Sequence, residues 1–234
     1  MNRLKFDSIL VVTYGRSGST LLQGILNTID GCLIRGENDN LCYGLFQAYQ
    51  SVLTCKRQAP YNRTVRDPWW GCDFDEGTFF SASRSLVERL LLAGSAPGSV
   101  CCYGFKEIRY DEFDRATLFR YLGFLERLFP NPALIFNTRE HRDVMASAWW
   151  RDLDPGTARL RLARAEENFR AYAAAKPNCF MIDYRDTSQA SPRLRELFAF
   201  LGADYSAAAI GRVLGIRHSY RPAQERIRQL PAYR

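Results

Sequence analysis

The segment Ile9-Leu-Val-Val-Thr-Tyr-Gly-Arg-Ser-Gly-Ser-Thr-Leu-Leu22 constrains this chain more than any other. Apolar residues run unbroken from Ile9 to Val12, and apolar positions then recur at helical spacing from Thr20 to Ile29. A short continuous apolar run reads as a strand buried on both faces, which belongs in a parallel sheet covered by helices. Between strand and helix lie Gly15, Arg16, Ser17, Gly18, Ser19 and Thr20. Glycines let the backbone curl until successive N–H groups face one point. The helix that follows adds its unpaired N–H groups and the positive end of its dipole. Arg16 supplies fixed charge, while Ser17, Ser19 and Thr20 supply hydroxyl donors. This turn is built to hold an anion; the plain alternative is a glycine-rich bend that binds nothing.

The same alternation continues along the chain. Apolar runs recur at Ser8–Val12, Cys32–Arg35, Val100–Gly104, Ala133–Asn137 and Cys179–Asp183. Helical spacing occupies Thr20–Ile29, Ser83–Leu92, Arg115–Phe129, Arg142–Trp149, Thr157–Ala175, Ser191–Phe200 and Ala207–Leu214. The pattern predicts one α/β domain over residues 1–234: a P-loop-like parallel sheet of about five strands flanked by helices, with its ligand at the strands' C-terminal edge. Residues 37–77 are less regular and hold Pro60, Pro68, Trp69 and Trp70. They read as a helical excursion with a loop over the site, placed for acceptor contacts. The alternative is a satellite core for their aromatic side chains.

Composition narrows the partners. A hydrophobic fraction of 47% and a charged fraction of 24% are ordinary for a soluble globular protein. No apolar run reaches bilayer-spanning length. Met1–Ser8 lacks the apolar core and cleavage site of a signal peptide, so a cytoplasmic location is expected. Seven cysteines, an odd count with no Cys-x-x-Cys pair, and only two histidines predict neither a structural disulfide nor a metal site. The net charge of +7 is spread from Arg3 to Arg234 without a basic tail or an aromatic–basic stacking pattern, so no nucleic-acid partner is expected. A small nucleotide carrying several negative groups accounts for the excess equally well.

A nucleoside-triphosphatase loop requires Gly-x-x-x-x-Gly-Lys-Ser/Thr, with the lysine on the terminal phosphates. Here Gly18 is followed by Ser19 and Thr20 with no lysine, which counts against a small-molecule P-loop kinase. Instead, Thr13-Tyr-Gly-Arg-Ser-Gly-Ser-Thr-Leu21 resembles the 5′-phosphosulfate loop of sulfotransferases that use 3′-phosphoadenosine 5′-phosphosulfate (PAPS). The form is closer to the carbohydrate and tyrosylprotein branches than to the steroid and phenol branch, which usually has lysine in place of Arg16. The resemblance implies that Arg16 and the amides of Ser17, Gly18, Ser19, Thr20 and Leu21 bind the 5′-phosphosulfate.

Two further segments extend the likeness. Ala133-Leu-Ile-Phe-Asn-Thr-Arg-Glu-His-Arg-Asp-Val-Met-Ala-Ser147 delivers Arg139 at a strand end and Ser147 eight residues later, predicted on the following helix. An arginine can clamp a phosphate with two donors and a serine can add a third. The pair resembles the family's 3′-phosphate motif, although Arg139-Glu140-His141 departs from the usual Arg-Asp-Pro. Separately, each residue reads as a salt-bridging arginine and a packed helical serine. Cys179-Phe-Met-Ile-Asp-Tyr-Arg-Asp186 resembles the family's strand–Tyr-Glu-Asp segment, which implies Tyr184 against the adenine; a core-capping tyrosine is the alternative.

Sulfuryl transfer needs positioning, a base for the acceptor hydroxyl, and cations near the bridging oxygen. Arg35-Gly36-Glu37 follows the second strand and resembles the segment whose glutamate is the base in the carbohydrate and tyrosylprotein enzymes. Glu37 is the expected base, with Asp39 nearby as second choice; otherwise Glu37 is an exposed turn carboxylate. His141 and His218 lie in the wrong segments for that part. In Tyr103-Gly-Phe-Lys-Glu-Ile-Arg109 the resemblance places Lys106 on the transferring group, against a solvated lysine as the alternative. Arg217–Arg221 could close the nucleotide site. The implied activity moves a sulfuryl group from PAPS to a hydroxyl of a small acceptor such as a sugar, glycolipid or secondary metabolite, leaving the adenosine bisphosphate, without a metal. A non-catalytic adenosine-bisphosphate binder is the other alternative.

Overall fold

In a computed structural model, residues 4–216 are described, and Arg217–Arg221 and His218 lie outside them. Strand β1 (Ser8–Val12) is buried along its whole length, so helices must cover both of its faces. Helix α1 (Ser19–Leu26) leads to β2 (Cys32–Arg35), followed by α2 (Leu41–Gln58) and α3 (Glu76–Leu91). Strand β3 (Cys102–Glu107), α4 (Arg115–Leu128) and β4 (Pro132–Thr138) follow, then the short α5 (His141–Met145) and the long α6 (Pro155–Ala174). The chain continues with β5 (Cys179–Asp183), α7 (Tyr184–Ser188), α8 (Pro192–Leu201) and α9 (Ala207–Leu214). The sheet is parallel throughout, in the order β2-β3-β1-β4-β5.

The register explains the two cores. Leu10 lies opposite Phe105 and Leu134, and Val12 opposite Phe136. These side chains share one face with the aromatic cluster of α2, α3, α4 and α6. Ile9 and Val11 point the other way, to Ile34, Ala133, Ile135 and Ile182, under α1, α8 and α9. Strands that bury alternate residues on opposite sides need apolar residues at every position, as observed. Three helices of the outer layers start on the same local signal, Asp-x-x-Thr. The side chains of Asp75, Asp114 and Asp154 accept the N–H of Thr78, Thr117 and Thr157. Such caps satisfy orphan donors and contribute about 1 kcal/mol each.

Two elements differ from the sequence reading. Helix α3 starts at its Asp75 cap, well before Ser83. The helix expected over 142–149 ends at Met145, and Ser147 has extended backbone before a 3₁₀ turn over Ala148–Asp152. The break falls at Ser147, whose extended backbone cannot continue the helix, and Ala148 then takes a positive φ of 50°. This turns Trp150 inward, where it is buried and donates its indole N–H to Gly15 O at 3.0 Å.

Residues 37–77 divide in two. Tyr43, Phe46 and Tyr49 of α2 pack with Phe80, Phe113, Tyr121 and Phe124 in the core, whereas Tyr61, Trp69 and Trp70 beyond it are exposed. Among the described residues no helix is long and apolar enough to cross a membrane, and all seven cysteines are free thiols.

Two stability tests follow from this packing. A Cβ on Gly104 would overlap the Ile9 carbonyl across the β1–β3 ladder. Gly104→Ala should therefore reach or exceed the upper range of overpacking, about 3 kcal/mol, in urea unfolding. Glu76 is held down at about 2, first by the hydrogen bond from Tyr49 and then by Lys56. A carboxylate with a depressed pKa contributes stability above its ordinary value of 4.5, lost as pH falls toward 2. Glu76→Gln should lower Tm at neutral pH, and the difference from wild type should shrink through that acidic window.

Candidate active site

The loop after β1 is strained in the way an anion cradle requires. Arg16 and Gly18 take positive φ of 69° and 80°, and Gly18 caps α1 without a side-chain bond. Among the described residues, the backbone N–H groups of Gly18, Ser19 and Thr20 have no acceptor, whereas Ser17 closes the turn over Gly15 and Arg16 and the N–H of Leu21 is already bonded to Gly18 O at 2.9 Å. Ser17 is fully buried. Its hydroxyl meets Thr13 Oγ1 at 2.7 Å beneath the loop, and its carbonyl accepts from Asn137 Nδ2 at 3.0 Å. The Ser17 hydroxyl thus ties the loop to Thr13 at the end of β1, and its carbonyl ties it to β4.

A second cationic turn lies at the end of β4. Arg139 Nη1 donates to Arg16 O at 3.2 Å, and Arg16 Nε donates to Ser147 Oγ at 2.8 Å. The loop's arginine and the strand-end arginine are therefore interlaced. Arg139 Nε is buried without a hydrogen-bond partner among the described residues, a donor in want of an acceptor. The Arg139 guanidinium lies 4.4 Å from the centroid of the Tyr184 ring, which also packs on Gly18 so closely that a Cβ there would overlap it. Tyr184 thus walls the space between the two turns.

Sequence reasoning did not single out the groups that support this arrangement. Buried Tyr14 donates its hydroxyl to Glu166 Oε1 at 2.6 Å and accepts the Arg139 N–H at 2.9 Å. Glu166 is buried on α6, receives Arg170 Nη2 at 2.6 Å and lies 3.1 Å from His141 Nε2. Burial, then the Glu166 charge, push the Tyr14 hydroxyl far above its ordinary pKa, so it stays a donor. His141 serves this anchor and does not line the Glu37 cavity described below. The local clue was only that Tyr14 adjoins Gly15.

Glu37 and Lys106 meet as an ion pair. Lys106 sits inside β3, with its side chain only 5% exposed, where the sequence reading expected it beyond the strand; the Glu37 carboxylate is 48% exposed. The turn carrying Glu37 hangs on the next residue of the strand. The buried carboxylate of Glu107 accepts from the amides of Asn38 at 3.3 Å and Asn40 at 3.0 Å, and from Ile108 at 2.7 Å. Asp39 points outward to Arg109 at 2.7 Å and is 83% exposed.

Arg16, Gly18, Ser19, Thr20, Leu21, Glu37, Lys106, Arg139 and Tyr184, with Ile108 and Trp149, line one cavity of about 430 Å³ at the C-terminal strand edge. Ser147 is joined to it through Arg16. Of residues 37–77, only Glu37 reaches it. Residues 8–207 match the sulfotransferase family. The chain belongs to that family.

Among solved structures, this sulfotransferase resembles the sulfotransferase domain from the curacin biosynthetic pathway at 16% identity and a TM-score of 0.52, covering 89% of this chain and 77% of that one. Sulfotransferase STF9 from Mycobacterium avium aligns at 13% identity with a TM-score of 0.44, over 89% of this chain and 67% of the other. At such identities the first likeness concerns the fold. Among curated proteins none matches. Among the described residues, no cluster of His, Cys, Asp or Glu is placed to hold a metal ion.

Removing the Tyr14 hydroxyl leaves the Arg139 amide and Glu166 each short of a buried partner. Tyr14→Phe should cost about 1–3 kcal/mol in urea unfolding, against less than about 0.5 kcal/mol for Asp39→Asn, whose side chain is solvated.

Proposed function

We propose that this sulfotransferase moves the sulfuryl group of PAPS to a hydroxyl of a small acceptor by direct in-line transfer. The observation that carries the reading is a single cavity that gathers the free amides of one loop, three cations and one half-exposed carboxylate, each delivered by a strand end. PAPS, when bound, supplies the sulfuryl group already attached to a phosphate able to leave.

The chain's own residues divide the work. The amides of Gly18–Thr20 and the Arg16 guanidinium hold the 5′ end, with Ser17 beneath them as support, a use of helix N-terminus and loop that needs no metal ligand. Arg139, whose Nε lacks an acceptor, and Ser147, whose hydroxyl proton is free while its oxygen accepts from Arg16, hold the 3′-phosphate. Tyr184, between the two anion sites, offers a face to the nucleotide. Lys106 lies beside Glu37, so a hydroxyl brought to this pair loses its proton to the Glu37 carboxylate while the acceptor oxygen bonds to sulfur. The sulfur–oxygen bond to the departing phosphate breaks in the same displacement. Lys106 and Arg16 face the charge left on that oxygen. The exposed side of Glu37 passes the proton to solvent. Seven free thiols support a reducing, cytoplasmic setting.

Isothermal titration with adenosine 3′,5′-bisphosphate tests the donor site: micromolar binding is expected, weakened at least about tenfold in Arg139→Ala. Glu37→Gln should keep that binding while turnover falls by about 10²–10⁴-fold. Failure to bind the bisphosphate, with binding of ATP and magnesium instead, would replace sulfuryl transfer by a kinase.

A further inference from the structure

A second cavity of about 340 Å³ adjoins the first, sharing Glu37, Ile108 and Trp149 with it. Its remaining wall comes from Gly15, Arg109, Asp111, Glu112, Trp150 and Arg161. From this wall we infer that the acceptor is a neutral, hydroxyl-rich ring of sugar type, seated here with Trp149 beneath it and Glu112 and Arg109 on its edge. The inference rests on the sulfuryl-transfer reading and adds the acceptor's class and seat.

The charges of the two cavities differ in kind. In the first, Lys106 is paired with Glu37 and Arg139 lies 3.8 Å from Asp143, while Arg16 has no carboxylate among the described residues and Glu37 is the one carboxylate in the wall, an excess of cations suited to an anionic donor. In the second, every arginine has a carboxylate. Arg109 Nη2 meets Asp39 at 2.7 Å, Arg161 Nε meets Asp111 at 2.5 Å, and Arg161 Nη2 meets Glu112 at 3.5 Å. A wall of matched pairs has little field to attract an anionic acceptor, yet it presents donors and acceptors side by side, which suits neighbouring hydroxyl groups. Burial raises the Asp111 carboxyl, but Arg161 lies against it; the Glu112 side chain is half exposed and available.

The apolar surface is equally selective. Trp150 is buried with its N–H spent on Gly15, so it is closed to a ligand. Trp149 rests against Gly15, where a Cβ would overlap its ring, and remains 47% exposed. One aromatic face fixed by the anion loop, opposed by polar groups, matches a ring with one C–H face and a hydroxylated rim. A planar phenol needs apolar walls on both faces, and here Ile108 and Trp149 are the only accessible apolar residues. Glu37 at the junction then places the base beside whichever hydroxyl enters the first cavity.

The test follows release of the bisphosphate from PAPS with the full chain, using methyl glucoside and methyl galactoside against 4-nitrophenol and 2-naphthol. Turnover of a sugar and none of a phenol is expected. Glu112→Gln, which does not line the donor cavity, should raise the sugar KM by about tenfold with the bisphosphate Kd held within about twofold. Should that variant fail to fold, Arg109→Gln is read in the same way. Phenol turnover without sugar turnover, no turnover of either class, or an unchanged sugar KM overturns the acceptor assignment while bisphosphate binding keeps the donor reading. Absence of bisphosphate binding overturns both.

Discussion

Arg16, Arg139 and Lys106 crowd one cavity, and cations gathered in this way repel one another unless something holds their backbones in place. The restraint is a buried knot of neutral hydrogen bonds. Thr13 Oγ1 donates to Asn137 O at 2.6 Å and receives the Ser17 hydroxyl at 2.7 Å, while Asn137 Nδ2 reaches back to Ser17 O. All three residues are fully buried. The knot binds the end of β1 to the end of β4, so that the anion loop and the Arg139 turn behave as one unit. Tyr14 and Glu166 fasten that unit to α6 from below. In a low-dielectric interior, buried hydrogen bonds of this kind hold geometry that exposed ion pairs cannot, although Asn137 Oδ1 itself has no partner among the described residues.

The other half of the site is held by a different device. Lys106 and Glu107 are consecutive on β3 and so point to opposite faces. One pairs with Glu37, and the other gathers the amides of the turn on which Glu37 rides. The base and its cation are therefore positioned by a single strand end, and the position of the pair depends on the register of β3 against β1. Gly104 allows that register by letting the two backbones meet.

Much of this was legible in the residues. Unbroken apolar runs announce strands buried on both faces, and the Gly–Arg–Ser–Gly turn ahead of a helix announces an anion loop, because both are local consequences of backbone chemistry. Glu37, Lys106 and Arg139 could be placed at one sheet edge from chain order alone. Less legible was whatever depends on a distant partner. The helix over 142–149 had good spacing, but Trp150 is drawn inward to the Gly15 carbonyl and the helix stops short. The aromatics of 37–77 had no visible rule to sort them; α2 buries Phe46 and Tyr49 and packs half-buried Tyr43 against them, while Trp70 and Tyr61 stay outside.

By itself, the sequence determined the strand–loop–helix grammar, the parallel sheet and the types of charge that meet at its edge. Those follow from short-range sterics and from the periodicity of burial. Only the tertiary structure decided that Ser17 turns its hydroxyl inward, that Glu107 and Glu166 act as anchors, and that Arg109 and Arg161 arrive already neutralised beside Trp149. Whether a carboxylate is free, buried or paired depends on groups remote in the chain, and that information exists only once the strands have paired in register.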